Sequence, residues 1–190
     1  MDSAIEYAAV ALGILNVVLA ARGSIWCWPA GIVGGALYVY LNYGWQLYYD
    51  MVLQVFYVAA GFYGWYKWTR KEGETELPII SWSFKKQLPL LLSGFILSAL
   101  LGSITFYYLK TYITYFDATV TVFSFIATWM MAKKIIENWL WWIVIDSACI
   151  GLYLLKDAPA TSFLFAVLTV GAAYAYYNWR KDMALQTQTA

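Results

Sequence analysis

Seven long apolar runs follow one another along the chain, at residues 5–21, 26–43, 47–68, 88–109, 115–132, 139–155 and 161–179. A helix needs about 20 such residues to cross a bilayer, so the pattern predicts an all-α membrane protein with seven transmembrane helices. The joints are short: Arg22-Gly23-Ser24 and residues 133–138 read as tight turns. The one long polar stretch, 69–87, holds Arg70, Lys71, Glu72, Glu74, Glu76, Lys85 and Lys86. It reads as a solvated linker with an interfacial piece at 79–84.

Polar residues recur inside the runs at helical spacing, and side chains three, four or seven apart share a face. Run five carries Asp117, Thr121, Ser124 and Thr128 on one line, and run three carries Gln54 and Tyr57. Run two carries Tyr38 near Pro29, Gly31, Gly34 and Gly35, which read as hinge material. In run six Trp139, Trp142 and Asp146 fall at i, i+3 and i+7, with Cys149 and Tyr153 continuing that face. An ionisable residue inside a span costs roughly 2.5–3.5 kcal/mol and commonly faces a cavity or a partner. Two indole faces and one carboxylate suit a flat cationic small molecule. The plainer reading is an aromatic packing stripe with one hydrogen-bonded Asp, and serines and threonines as helix–helix contacts. Asp50 and Asp117, near the outer ends of runs three and five, read as hydrated or vestibule carboxylates.

Composition agrees with the membrane reading. The chain is 63% hydrophobic and 12% charged, where soluble domains carry about 25% charged residues. The formal net charge of +1 argues against a nucleic-acid partner. The chain has no histidine, the commonest metal ligand and general base, and Cys27 and Cys149 both fall in apolar runs. No cofactor, metal or enzymatic chemistry is expected. Met1-Asp2-Ser3 lacks the positive segment of a signal peptide, so the first run reads as a retained span.

Basic residues set the expected orientation. The N-terminus and the joints after runs two, four and six hold Lys110 and Lys156, whereas the other joints and the C-terminus hold the remaining ten Lys and Arg. The positive-inside rule places the N-terminus outside and the C-terminus in the cytoplasm.

The chain also reads as duplicated. Tyr63-Gly64-Trp65-Tyr66-Lys67-Trp68 before Arg70-Lys71 matches Tyr174-Ala175-Tyr176-Tyr177-Asn178-Trp179 before Arg180-Lys181. Arg22 matches Lys133-Lys134, and Ala36-Leu37-Tyr38 matches Gly151-Leu152-Tyr153. The expected organisation is a 3+1+3 pseudo-repeat. It has a first bundle at 1–68, a cytoplasmic linker at 69–87 and a connecting helix at 88–110. A second bundle at 111–182 and a tail at 183–190 complete it. One connecting helix makes the halves parallel, an arrangement some transporters use.

Three segments carry a family resemblance: Leu53-Gln54-Val55-Phe56 through Tyr66, Asp117 through Ser124, and Glu137-Asn138-Trp139 followed by Trp142 and Asp146. The chain resembles the Pnu family of vitamin transporters, whose signature is WxxWxxx(N/D). The resemblance implies a SWEET-like fold, facilitated diffusion of an unphosphorylated vitamin across the bacterial inner membrane, trapping by a cytoplasmic kinase, and a homotrimer. Its nicotinamide riboside branch carries Asn at the last signature position and its thiamine branch, PnuT, carries Asp, so Asp146 makes thiamine the expected cargo. In that reading Trp139, Trp142 and Tyr57 stack the rings, and Gln54 and Asn138 hydrogen-bond. Asp146 sets specificity, with Asp117, Thr121, Ser124, Tyr38 and Tyr153 as further contacts. A bound cation favours the ionised carboxylate, so binding is expected to tighten as pH rises.

The close alternative is nicotinamide riboside. From another class, a structural or assembly membrane protein also fits polar stripes. A retinal-type photoreceptor needs a lysine within the last span, and none stands between Ala160 and Trp179.

Overall fold

The computed structural model of the protein describes residues 2–46, 48–70, 77–155, 157 and 159–189, with backbone alone at 2, 48–50, 160 and 187–189. Leu47 of run three, the linker residues Lys71, Glu72, Glu74 and Glu76, and Lys156 lie outside the described residues, as does the Asp50 side chain. Among the described residues the chain is all-α, with seven helices: α1 Asp2–Ala21, α2 Cys27–Gly44, α3 Tyr48–Thr69, α4 Phe84–Leu109, α5 Ile113–Ala132, α6 Asn138–Leu155 and α7 Pro159–Thr189.

These helices follow the apolar runs, with two extensions. The first turn of α4 closes earlier than expected, because the Lys86 and Gln87 amides both bond the Ser83 carbonyl. No Gly or Pro follows Gly171, so α7 continues to Thr189 and most of the expected tail is helix. Among the described residues α1, α4, α5 and α6 are long and apolar enough to cross a membrane. Helices α2, α3 and α7 have the length, at 18, 22 and 31 residues, but carry many Tyr, Asn and Gln side chains.

The two ends of the chain repeat each other at one offset. Helix α1 begins at Asp2 and α5 at Ile113, α2 at Cys27 and α6 at Asn138, α3 at Tyr48 and α7 at Pro159, each 111 residues apart. The turns share backbone conformation at the same spacing: Gly23 (φ 64°) with Lys134 (φ 52°), and Gln46 (φ 61°) with Asp157 (φ 52°). Glycine reaches this left-handed region freely, whereas Lys134 pays roughly 1–2 kcal/mol for it. The Ser24 amide bonds the Leu19 carbonyl as Ile135 bonds Met130. Trp68 therefore corresponds to Trp179 and Arg22 to Lys133. The Ala36-Leu37-Tyr38 match is one helical turn out of register, since this offset pairs Tyr38 with Cys149 and Asn42 with Tyr153.

The chain divides into two compact units. The first comprises Met1–Ile79, Ala132–Lys134 and Tyr177–Ala190. Within it α2 packs on both α1 and α3. The glycines expected to form a hinge instead allow close packing inside a continuous helix. A Cβ at Gly31 would fall 2.7 Å from Asn16 Nδ2, and one at Gly35 would fall 3.0 Å from Val58 Cγ2. Asn16 Nδ2 donates to the Cys27 carbonyl at 2.7 Å, tying α1 to the start of α2.

At the end of α3 lies an indole cluster. Trp28 sits edge-on to Trp68 with centroids 5.4 Å apart, and Trp68 lies 5.9 Å from Trp179. Trp68 Nε1 donates to the Ala132 carbonyl at 3.1 Å, and Trp179 Nε1 to the Ala20 carbonyl at 2.9 Å. Each repeat's final tryptophan thus caps the first helix of the other repeat. Lys134 Nζ lies 4.8 Å from the Trp68 ring centroid.

The second unit comprises Ile80–Met131 and Ile135–Tyr176. Its core gathers Phe123, Ala127, Met130, Ile135, Trp141 and Ile145, with Trp82, Trp129 and Trp142 packed around them. Gly94 and Gly102 of α4 seat Phe123 and Tyr115 of α5. Leu92, Ile96, Leu100 and Ile104 of α4 are exposed. The linker after α3 is not a solvated loop throughout. Ile79 is buried, within the first unit. In the second, Ile80 forms a parallel bridge with Ile135 and accepts the Ile136 amide at 2.9 Å.

Candidate functional site

Helix α6 places its polar and aromatic line inward, as the spacing predicts. Trp139, Asp146 and Cys149 are buried and Trp142 is half-buried, while Leu140 and Val144 on the opposite side are exposed. Asp146 is 5% exposed. Among the described residues nothing donates a hydrogen bond to its carboxylate and no cation stands near it. An orphaned acidic group of this kind is costly unless something else meets it. Cys149, one turn along, is acted on electrostatically by Asp146 and also by Asp117 of α5.

The other candidates of the second unit divide. Asp117 is exposed, Thr121 half-buried and Ser124 buried, so that line of α5 runs from solvent into the core. Thr128 donates to the Ser124 carbonyl at 2.8 Å, an intrahelical role. Tyr153 stacks on Phe165 of α7, centroids 5.4 Å apart and planes 13° apart. Asn138 is fully buried. Its Nδ2 donates to the Ile135 carbonyl at 2.7 Å, closing the turn into α6. Its Oδ1 has no partner, so in this conformation the amide is a helix-start residue with one spare acceptor.

In the first unit Gln54 is half-buried on α3, where a Cβ at Gly35 would lie 3.7 Å from its Oε1. Tyr57 is half-buried, its ring 6.0 Å from that of Phe56. Tyr38 is half-buried on α2 and is acted on electrostatically by Glu6. At the 111-residue offset Glu6 corresponds to Asp117 and Tyr38 to Cys149, so the same carboxylate-to-neighbour relation occurs in both repeats. Gly31 and Gly35 stand where the second repeat has Trp142 and Asp146. The indole and the carboxylate thus belong to the second repeat and not to the first.

The pairings that hold this arrangement carried no sequence signal. Trp141 donates from Nε1 to Gln87 Oε1 at 3.0 Å. The Glu137 carboxylate accepts from Ser81 Oγ at 2.5 Å and from the Trp82 amide at 2.9 Å. Trp141 stood in the Trp-rich run, but nothing marked its partner.

One buried and one half-buried indole on the face of a buried carboxylate offer an aromatic cation two ring faces and a counter-charge. Known proteins share this sequence and fold. A sequence model described as nicotinamide mononucleotide transporter matches residues 3–181. The nicotinamide riboside transporter PnuC of Escherichia coli (strain K12) is 26% identical, with 92% of this chain and 84% of that protein covered. The riboflavin/roseoflavin transporter RibM of Streptomyces davaonensis is 22% identical, covering 88% of this chain and 80% of that protein. A crystal structure of the vitamin B3 transporter PnuC superposes with a TM-score of 0.74 at 24% identity, over 96% of this chain and 83% of that one, a likeness of fold. The matched sequence takes in all six helices that repeat and the α4 between them, and the chain belongs to the nicotinamide mononucleotide transporter family of membrane proteins.

Proposed function

We propose that this protein carries nicotinamide riboside across the bacterial inner membrane by facilitated diffusion. The observation that carries the reading is Asp146, a buried carboxylate with no partner among the described residues, on the same α6 face as Trp139 and Trp142. The pyridinium of nicotinamide riboside is a flat cation, suited to indole stacking and to a carboxylate counter-charge. The names of the PnuC relatives support this cargo. Substrate contacts in this reading are Asp146, Trp142, Trp139, Asn138, Asp117, Thr121, Ser124 and Tyr153, all of the second unit.

The reading extends to seven spans in a 3+1+3, SWEET-like order, with the N-terminus outside and the C-terminus in the cytoplasm. It includes a homotrimer and a cytoplasmic kinase that phosphorylates the arriving vitamin. One observation favours a second cargo. Asp146 stands where the riboside branch carries Asn, which suits thiamine, whose amino group can donate to a carboxylate.

Quenching of tryptophan fluorescence in detergent-purified protein separates these cargoes. Saturable quenching by nicotinamide riboside that thiamine does not reverse, weakened by Asp146→Ala, supports the proposal. Thiamine binding with riboside inert moves the protein to the second reading. Silence from both ligands refutes the two together.

A further inference from the structure

The α6 turn is held by a hydrogen-bonded strap that the transport reading does not use. Residues 80–83, just before α4, lie along the turn between α5 and α6. Glu137 anchors them, its carboxylate taking Ser81 Oγ–H on one oxygen at 2.5 Å and the Trp82 N–H on the other at 2.9 Å. The Trp82 carbonyl accepts from Gln87 Nε2 at 2.9 Å, and Gln87 Oε1 accepts from Trp141 Nε1 at 3.0 Å. One continuous chain of bonds therefore runs from the residue before α6, through the strap and the first turn of α4, back to the fourth residue of α6. The Ile80–Ile135 bridge closes it at the backbone, and the Trp82 ring meets Trp129 of α5 at 6.0 Å.

Among the described residues the other repeat lacks this device. The residue corresponding to Glu137 is Trp26, which is 67% exposed and caps α2 without a side-chain hydrogen bond. The strap therefore serves the one of the two corresponding helices that carries an indole and a carboxylate where the other has Gly31 and Gly35. Gripping α6 at residues 137 and 141 fixes its rotation about its own axis. Trp142 and Asp146 lie one and five residues beyond the second grip. Side chains that must meet a ligand need such support from neighbours that are themselves held.

We propose that Glu137 and Gln87 are positioning residues for substrate binding, acting through the strap to set the rotation of α6 and hence of Trp142 and Asp146. The proposal rests on the transport reading of that face. Glu137→Gln keeps the shape, but it replaces two charge-assisted bonds with neutral ones, the amide oxygen taking the Trp82 N–H and the NH2 donating to Ser81 Oγ. Gln87→Met keeps the length but removes both of its bonds.

The test is nicotinamide riboside binding to full-length protein in detergent by tryptophan fluorescence, alongside thermal unfolding and initial uptake rates in proteoliposomes. Both variants are expected to weaken binding roughly tenfold, the low end of what loss of a supporting partner does to a site. KM rises with little change in Vmax. In the double variant Glu137→Gln/Trp142→Ala, binding is no weaker than in Trp142→Ala alone, because both act on one face. Ser81→Ala removes a single donor outside any helix and is expected to weaken binding about threefold. It carries the test if Glu137→Gln does not stay monodisperse. Binding within twofold of wild type in Gln87→Met and Ser81→Ala, with only the melting temperature lowered, overturns the proposal and leaves a structural strap. Wild-type protein that binds neither riboside nor thiamine overturns the transport reading, and the positioning role falls with it.

Discussion

Gly64→Ala puts a methyl group into the space that the Trp28 ring fills. An ideal Cβ at Gly64 falls 2.5 Å from Trp28 Cε2 and nearer still to Cζ2 and Cη2. The ring is 3% exposed and abuts Trp68 edge-on at 5.4 Å, so it has no free direction to move. Overpacking a close-fitted core costs about 1–3 kcal/mol, and a contact with a fixed ring belongs in the upper half of that range. Replacing a helical glycine by alanine returns up to about 1 kcal/mol. The net loss is then about 1–2 kcal/mol, or about 3–6 °C in melting temperature for a chain of this size. Gly151→Ala is the matched control. No atom lies within 4 Å of its Cβ position, so that variant is expected to melt at or slightly above wild type.

Thermal unfolding of the detergent-purified protein, followed by intrinsic fluorescence, reads both. The second repeat makes the reasoning sharper. Ala175 occupies the position corresponding to Gly64 and is fully buried, so alanine itself is compatible with this helix position. The cost should therefore be specific to Trp28, and Gly64→Ala should cost less in a Trp28→Leu background. If Gly64→Ala melts at or above wild type, the reasoning fails, because the ring is then not held where the structure puts it.

Two further outcomes follow from the same packing. Trp179→Phe deletes the fully buried indole N–H that bonds the Ala20 carbonyl at 2.9 Å. It is expected to lose about 1 kcal/mol or more in unfolding free energy, whereas Trp26→Phe at an exposed site should change melting little. Ser98→Ala removes a buried hydroxyl with no partner. An unpaired buried hydroxyl contributes no stabilising bond, so the melting temperature should hold or rise, and a clear fall would expose a hidden partner.

The family-level likenesses fit this anatomy without dictating its details. The 111-residue offset recurs in helix starts and left-handed turns, yet the repeats differ where chemistry is expected. Gly31 and Gly35 let α2 nest between α1 and α3, while Trp142 and Asp146 at the corresponding places equip α6 for a ligand. The candidate face and its strap both belong to the second unit.

Much of the architecture was legible along the chain. Apolar runs bounded by Arg22-Gly23 and Lys133-Lys134 located the helices, because hydrophobic length and breaker residues are local properties. The inward face of Trp139, Trp142 and Asp146 was legible for the same reason, since 3.6-residue periodicity needs no tertiary information. The duplication was legible at its ends but slipped by one turn at Ala36-Leu37-Tyr38. Aromatic helical sequence resembles itself after a turn, whereas the helix starts and left-handed turns keep the 111-residue offset that the ends already carry. Tertiary structure alone decided the partners. Glu137 meets Ser81 across 56 residues and Trp141 meets Gln87 across 54. It also turned Asn138 into a helix-start residue, made close contacts of the expected α2 hinge, and drew part of the linker against the α5–α6 turn. A side chain's periodicity is written in its neighbours along the chain, but the group that satisfies it comes from wherever the chain returns.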